Sequence, residues 1–426
     1  MRSKAALDFL KRHGMSPELV DPAAEAVKMA ADMERGLAGA GGSMPMIPTY
    51  LRAEGDIAFG DTAAIIDAGG TNFRRALVTF TENGVKVTEL QTWKMPGIEK
   101  SATWEEFISF TADKVMPLMD KTDRIGFCFS FSADIGPDMD GTVRCIDKEV
   151  VITGASGQKV GASLLAELER RGVSGKKAVI LNDTVAVLLG GKAEHVWSDF
   201  GGFIGQVSGT GTNTCCVVPE KRIGKLGLTG EEGMVVNTES GMYDGIPAGE
   251  FDLMLDRASH DPGSKRFEKQ TAGVYLGELC RLMLRAAADE GLLSAEGCEK
   301  ARALGPINSA VIDGWASGEH LEQISGSAED EAFVKTICLA AFERSARCMC
   351  TNIGALLLVT GEGTDPEKPV CVCAEGSLVQ KSRSYRPALE RLLKEKIGGG
   401  LGRYAVLKIA NEATIAGSAA AAILNC

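Results

Sequence analysis

What this chain lacks narrows its function before any motif is read. It has no Cys-x-x-Cys pair and only four histidines, so no zinc-binding spacing can be assembled. Basic residues are outnumbered, 46 to 57, and the net charge of −11 speaks against nucleic acid or an anionic membrane as partner, since both require basic clusters. No run of 18 apolar residues occurs, and the basic N-terminal stretch Met1-Arg2-Ser3-Lys4 leads into no apolar signal region. We therefore expect a soluble, cytoplasmic protein. A Gly-x-x-x-x-Gly-Lys-Ser/Thr run is missing, and no glycine cluster opens directly into a helix with an acidic residue downstream. Walker-type and Rossmann nucleotide sites are thereby disfavoured. The twelve cysteines fall mostly inside apolar runs such as Ile125-Gly126-Phe127-Cys128-Phe129 and Val370-Cys371-Val372-Cys373. They read as small core residues of a reducing compartment rather than ligands or disulfides.

What is present is a repeated glycine turn. Ile65-Ile66-Asp67-Ala68-Gly69-Gly70-Thr71-Asn72 and Phe203-Ile204-Gly205-Gln206-Val207-Ser208-Gly209-Thr210-Gly211-Thr212-Asn213 each end an apolar run in Gly-Thr-Asn or its close variant. A second β-rich run follows each, so both turns join adjacent strands. Glycine lets backbone N–H groups approach an anion, and threonine and asparagine add donors beside them. Either turn alone could be an ordinary hairpin; the repetition favours two loops holding one polyphosphate across a cleft.

At 426 residues and 45% hydrophobic content, two or three domains are expected. Helical segments over 5–36 precede a flexible glycine stretch, Gly36–Gly42, and a Pro-punctuated connector at Pro45 and Pro48. Strands at 62–67, 74–80 and 85–93 form a meander around an Asn83-Gly84 turn. A helix follows from the capping box Thr103-x-x-Glu106. Strand 124–130, helix 160–171, strand 178–182 and helix 184–195 complete a βββαβαβ unit with an added helix. The opening recurs at 201–208 and 212–218, followed by a loop-rich hairpin through 237. Amphipathic segments at 265–289 and 329–358 come next, with Tyr275, Leu279, Leu282, Met283 and Ala286 on one face of the first. The chain ends in strand 369–374, helix 384–396, strand 404–409 and helix 413–424. Two halves built from one template describe an α/β protein with an interdomain cleft, and the last helix is expected to return to the first half.

The motifs Asp67-Ala68-Gly69-Gly70-Thr71-Asn72-Phe73-Arg74 and Gly209-Thr210-Gly211-Thr212-Asn213 resemble the two phosphate motifs of the hexokinase and glucokinase family, in the actin-like, ribonuclease-H-like ATPase clan. Gly126–Phe131, Leu181-Asn182-Asp183-Thr184, Val236-Asn237-Thr238-Glu239 and Asp261–Lys269 are similar to its sugar-binding segments. The resemblance implies two ribonuclease-H-like domains, a small one over 61–187 plus 411–426 and a large one over 1–60 plus 188–410. It implies transfer of the γ-phosphoryl group of Mg-ATP to the 6-hydroxyl of glucose or a related hexose, with ATP and Mg²⁺ as cofactors.

Carried over residue by residue, Asp183 would be the catalytic base and Lys148 would steady the transferring group. Ser130, Lys148, Asn182, Asp183, Asn213, Glu239 and Glu268 would bind the sugar. Such a set suits a ring of hydroxyls, each both donor and acceptor. Asp67, Gly69, Gly70, Thr71, Asn72, Arg74, Gly209, Thr210, Gly211, Thr212, Gly376, Ser377 and Gly417 would contact the nucleotide, Asp67 also holding Mg²⁺ through water. Bland readings stand beside these: Asp183 as a helix cap, Asn182 as a strand-end cap, Glu268 as a solvated first-turn carboxylate, Lys148 as a surface lysine. The chain departs from the family pattern at Ser130-Phe131-Ser132, Asp147-Lys148-Glu149-Val150, Ser240 and Asn411–Ile415, which bears on sugar choice. An amino-sugar kinase, a non-catalytic sugar sensor and an assembly ATPase are the alternatives.

Overall fold

The computed structural model describes residues 3–146, 150–194, 199–410 and 412–426. In chain order its elements are α1 (Lys4–Arg12), α2 (Pro22–Ala38), β1 (Ile47–Arg52), β2 (Thr62–Ala68), β3 (Asn72–Thr81), β4 (Gly84–Lys94), β5 (Ala102–Thr103), α3 (Trp104–Val115), β6 (Arg124–Phe129), β7 (Ser132–Ile135), β8 (Gly141–Cys145), β9 (Ile152–Thr153), α4 (Val160–Arg170), β10 (Lys177–Leu181) and α5 (Asp183–Glu194). The second half continues with β11 (Phe203–Ser208), β12 (Thr212–Pro219), β13 (Gly233–Asn237), α6 (Glu250–Ala258), α7 (Arg266–Thr271), α8 (Gly273–Asp289), α9 (Ala295–Ala303), α10 (Ser309–Ser317), α11 (Ala328–Thr360), β14 (Val370–Glu375), α12 (Ser377–Lys381), α13 (Tyr385–Leu392), α14 (Gly399–Leu401), β15 (Ala405–Ile409) and α15 (Ala413–Asn425).

Two sheets carry the site, and they share one plan. The first runs β10-β6-β2-β3-β4 and the second β15-β14-β11-β12-β13, with β1 added at the edge. In each, an opening strand (β2 or β11) turns back into an antiparallel meander and takes two parallel strands on its other side. The duplication read from the glycine turns is thus present in the strand order.

The two halves are tied by an exchange of helices. Helix α5 leaves β10 of the first sheet but packs on β11, β12 and β14 of the second; α15 leaves β15 but packs on β2, β6 and β10. The two helices also pack on each other. Glycines permit the approach: a Cβ on Gly205 would fall 2.6 Å from the Thr184 carbonyl oxygen, and one on Gly126 2.0 Å from that of Ser418. Between α5 and α15 a Cβ on Gly417 would meet the Ala186 oxygen at 1.8 Å. This helix pair is buried in a core drawn from both sheets, including Ile65, Val179, Val185, Leu188, Phe203, Cys373 and Ala419. Separate cores lie under α3 and α4 and among α1, α2 and the second-half helices.

Local signals place most elements. Thr103 and Glu106 form the reciprocal capping box of α3. Helix α2 starts at the Asp21 cap with Pro22 at its first position and ends at Gly39 in the left-handed region. The glycine stretch is not the flexible link expected: Gly36 lies inside α2, where a Cβ would meet the Met44 oxygen at 2.3 Å. The Pro-punctuated connector contains β1, paired with β13 through a bulge between Pro48 and Arg52. The segment 265–289 is broken at Ala272 into α7 and α8, and the fully buried face of α8 is Leu276, Leu279, Cys280, Met283 and Leu284. Tyr275, Leu282 and Ala286 are half-buried beside it. Ten of the twelve cysteines are buried, Cys145 is exposed and Cys426 is intermediate.

Candidate active site

The parallel strands of both sheets end on one side, and the candidate residues follow those ends. In the first half Asp67 and Arg74 are directly opposed across the β2–β3 hairpin. Arg74 Nη2 lies 2.5 Å and Nε 2.7 Å from Asp67 Oδ2, and Nη2 also reaches the Thr414 hydroxyl at 3.3 Å. Burial pushes the Asp67 carboxyl up from its ordinary value, opposed by Arg74 and reinforced by Asp183. The turn is closed by Gly69 N–H donating to the Asn72 oxygen at 3.0 Å, leaving Thr71 and Asn72 exposed and Gly69 and Gly70 half-buried.

In the second half the turn is neutral. Ser208 faces Thr212 across it, and Gly209 N–H donates to the Gly211 oxygen at 3.0 Å. Gly209 is buried against the β14–α12 junction, where a Cβ would fall 3.2 Å from Ser377 N. Gly376 holds φ +120°, and a Cβ there would meet the Ser208 oxygen at 2.4 Å, so only glycine fits. Gly209, Gly376 and Ser377 are therefore brought together, with Thr210 and Ser377 exposed. Gly417 has a packing reason to be glycine, its contact with α5.

Asp183 begins α5 where β10 ends. The capping of α5 is done by its neighbour: Asn182 Oδ1 accepts the Thr184 N–H at 2.9 Å and the Asn182 carbonyl accepts from Ala186. Asp183 Oδ1 also receives the Thr184 N–H, at 2.7 Å, and the Thr184 hydroxyl at 3.2 Å. Asp183 is within electrostatic reach of Asp67, Glu239 and Glu375, so one acidic side chain faces carboxylates from both halves. Ser130, at the end of β6, donates its N–H to the Ala68 oxygen and lies 3.9 Å from Cys128 Sγ.

The remaining sugar candidates form a bonded group. Asn213 Nδ2 donates to Asn237 Oδ1 at 2.8 Å and to Glu239 Oε1 at 3.5 Å, while Asn237 Nδ2 donates to Glu239 Oε1 at 2.7 Å. Glu239 sits at φ +53°, a strained backbone for glutamate. Burial pushes its carboxyl up, and Asp183 and Glu268 add to the push. Glu268, on α7, accepts the Thr212 N–H at 3.1 Å. Lys148 lies outside the described residues.

Sequence reasoning overlooked two contributors. Asn237 orders Asn213 and Glu239 from inside a segment quoted only as a motif. Thr271 donates its hydroxyl to Thr212 Oγ1 at 3.0 Å. Glu375, first residue of the Glu375-Gly376-Ser377 turn that the resemblance links to adenosine, has a buried Oε2 without a hydrogen-bond partner, and burial pushes its carboxyl up to about 7, opposed by Arg74.

The arrangement, paired ribonuclease-H-like sheets with carboxylates at a shared edge, defines the actin-like class of α/β folds. Hexokinase family models match residues 9–193 and 203–424. Hexokinase-1 of Nicotiana tabacum is 30% identical, the alignment covering 93% of this chain and 86% of the relative. Hexokinase-7 of Oryza sativa subsp. japonica is 28% identical, covering 94% of each. The structure of a hexokinase from Schistosoma mansoni complexed with glucose superposes with a TM-score of 0.77 at 21% identity, covering 98% of each chain. The chain belongs to the hexokinase family.

Proposed function

We propose that the chain transfers the γ-phosphoryl group of Mg-ATP to the 6-hydroxyl of glucose or a related hexose. The family assignment supports a hexokinase activity across both halves, and kinases of this family use ATP, generally with Mg²⁺. The observation that carries the assignment of roles is the convergence of Asp67, Asp183, Glu239, Glu268 and Glu375 at one edge. Asp183 accepts the proton of the attacking hydroxyl, and Asn182, Asn213, Glu239 and Glu268, with Ser130, orient the sugar. Asn237 pre-orders two of these by fixing the Asn213 amide and one Glu239 oxygen. Lys148 would steady the transferring phosphoryl group.

An acidic cleft repels a bare triphosphate, which makes a hard cation a physical requirement of this reading. The oxygen-only donors suit Mg²⁺, and among the described residues no group of three or more His, Cys, Asp or Glu could hold a metal by itself. Asp67 would hold it together with water and phosphate oxygens. When bound, Mg²⁺ would neutralise part of the phosphate charge. Arg74, Thr71, Asn72 and the backbone of Gly69 and Gly70 serve the phosphates from one wall; Gly209–Thr212, Gly376 and Ser377 serve from the other.

We assign 61–187 plus 411–426 to the small domain and 1–60 plus 188–410 to the large one, closing on the sugar to exclude water from the γ-phosphate. Small-angle scattering should register compaction with saturating glucose; an unchanged radius of gyration rejects closure. No helix among the described residues is long and apolar enough to cross a membrane, and we place the protein in the cytoplasm, where its thiols stay reduced. A coupled assay across glucose, mannose, fructose and glucosamine tests the function. ATP consumption that rises sharply with one hexose supports it, and consumption indifferent to all four rejects it.

A further inference from the structure

Glu268 occupies an unusual position for a carboxylate whose assigned task is to bind sugar. Its Oε2 accepts the backbone N–H of Thr212 at 3.1 Å, a donor of the second phosphate loop. A Cβ on Gly211 would fall 2.9 Å from that same oxygen, so the carboxylate lies directly over the face of the loop. On its other side a Cβ on Gly241 would meet Glu268 Cβ at 3.2 Å, and Glu268 is thus threaded between two glycines. Thr212 is itself buried, its hydroxyl engaged by Thr271. Its N–H is held by the carboxylate.

We propose that Glu268 acts as a removable stand-in for a phosphate oxygen, keeping the second phosphate loop closed to nucleotide until sugar draws it away. The chemistry of the contact is that of anion capture: a carboxylate oxygen on a loop N–H makes the same charge-assisted bond a phosphoryl oxygen would make. Both cannot hold the N–H at once. When a hexose hydroxyl offers Glu268 a new donor, the side chain turns to it and the Thr212 N–H becomes available to the triphosphate. Glu268 stands in the first turn of α7, a helix of six residues. Sugar and nucleotide affinity are coupled in this way, and water, which cannot reposition the carboxylate as a bound hexose does, is refused as acceptor. The inference rests on the kinase reading for its purpose, but the contact can be tested without any sugar.

The test is calorimetric titration of the full chain with MgADP in the absence of hexose, for the wild type, Glu268→Ala, Glu268→Asp and Glu268→Gln. Removing the stand-in should tighten MgADP binding about tenfold to a hundredfold in Glu268→Ala, the worth of one charge-assisted hydrogen bond no longer to be displaced. Glu268→Asp, shortened by one methylene and withdrawn from Thr212, should also tighten it. Glu268→Gln, which keeps an acceptor oxygen without the charge, should fall between. Sugar-free ATP hydrolysis should rise in the same order. A purely structural role would instead lower the melting temperature and leave MgADP affinity equal or weaker; that result in Glu268→Ala and Glu268→Asp overturns the proposal. If Glu268→Ala fails to fold, Glu268→Asp decides. Failure of the kinase reading would appear separately, as wild-type ATP consumption unmoved by hexose.

Discussion

The two hairpin loops stand at equivalent places in sheets of identical order, yet one is charged and the other neutral. The first opens with Asp67 paired to Arg74 across the strands; the second opens with Ser208 facing Thr212. The backbone path repeats between the halves, and the side chains facing each other across the turns differ. A triphosphate with its cation needs both kinds of wall: a charged one for the metal and the anionic oxygens, and a neutral one made of backbone donors. The glycines differ likewise. Gly209 is confined by the β14–α12 junction, whereas a Cβ on Gly69 would make only ordinary contact, 3.5 Å from the Asn72 oxygen.

Three substitutions sharpen this contrast. Asp183, proposed above as the proton acceptor, should matter most: Asp183→Asn is expected to lower kcat about 10²–10⁴-fold, the range for loss of a positioned proton acceptor, with glucose binding still measurable by calorimetry. Turnover within threefold of wild type, as a rough threshold, would remove it from the mechanism. Next, the loops should respond unequally. Arg74→Gln strips the cation and leaves the buried Asp67 unpaired, so MgATP KM should rise about tenfold or more. Ser208→Ala removes a neutral hydroxyl and should change KM about fivefold or less. Equal responses would erase the distinction drawn between the walls.

Gly417→Ala probes what joins the halves. A methyl group aimed 1.8 Å from the Ala186 oxygen must push α5 and α15 apart, at a cost of about 1–3 kcal/mol read as a lowered melting temperature. The mildest effect concerns Glu375. Its carboxyl, at about 7 in the fold against an ordinary 4.5, holds a proton that the unfolded chain has released. The native state binds more protons between those values, so stability falls as pH rises from about 4.5 to 7. Melting temperatures of Glu375→Gln should therefore decline less across that window than those of the wild type, and parallel slopes would contradict the assignment.

Much of this was legible in the sequence, for reasons that can be named. The hairpin at Asn83-Gly84, the capping box at Thr103 and Glu106, and both phosphate turns are local chemistry, fixed by residues close together in the chain. The break at Ala272 is different, because alanine favours helix. There the Gly273 N–H donates to the Gly209 oxygen and Thr271 donates to Thr212, so a distant loop ends the helix. Strand β1 escaped notice because Pro48 interrupts it, and pairing with β13 at the sheet edge tolerates the proline. The short helices α6, α9 and α10 lack a long periodic stripe. Among site residues, Asp183, Asn213, Glu239 and Glu268 stood out by motif, while the supporting Asn237 and Thr271 became visible only through their partners. The sequence offered Asp183 as the cap of α5; the helix starts one residue earlier, so Asn182 takes the cap position, and its Oδ1 shares the Thr184 N–H with Asp183 Oδ1.

The traded helices make each half dependent on a segment encoded at the far end of the other. A polypeptide cut near residue 200 would leave one fragment holding α5 with no second sheet beneath it, and the other holding α15 with its apolar seat missing. Neither piece could ripen alone during synthesis. The first sheet must wait for the thirteen-residue α15 before its open face is covered, so the cleft takes shape only once that late helix has been made.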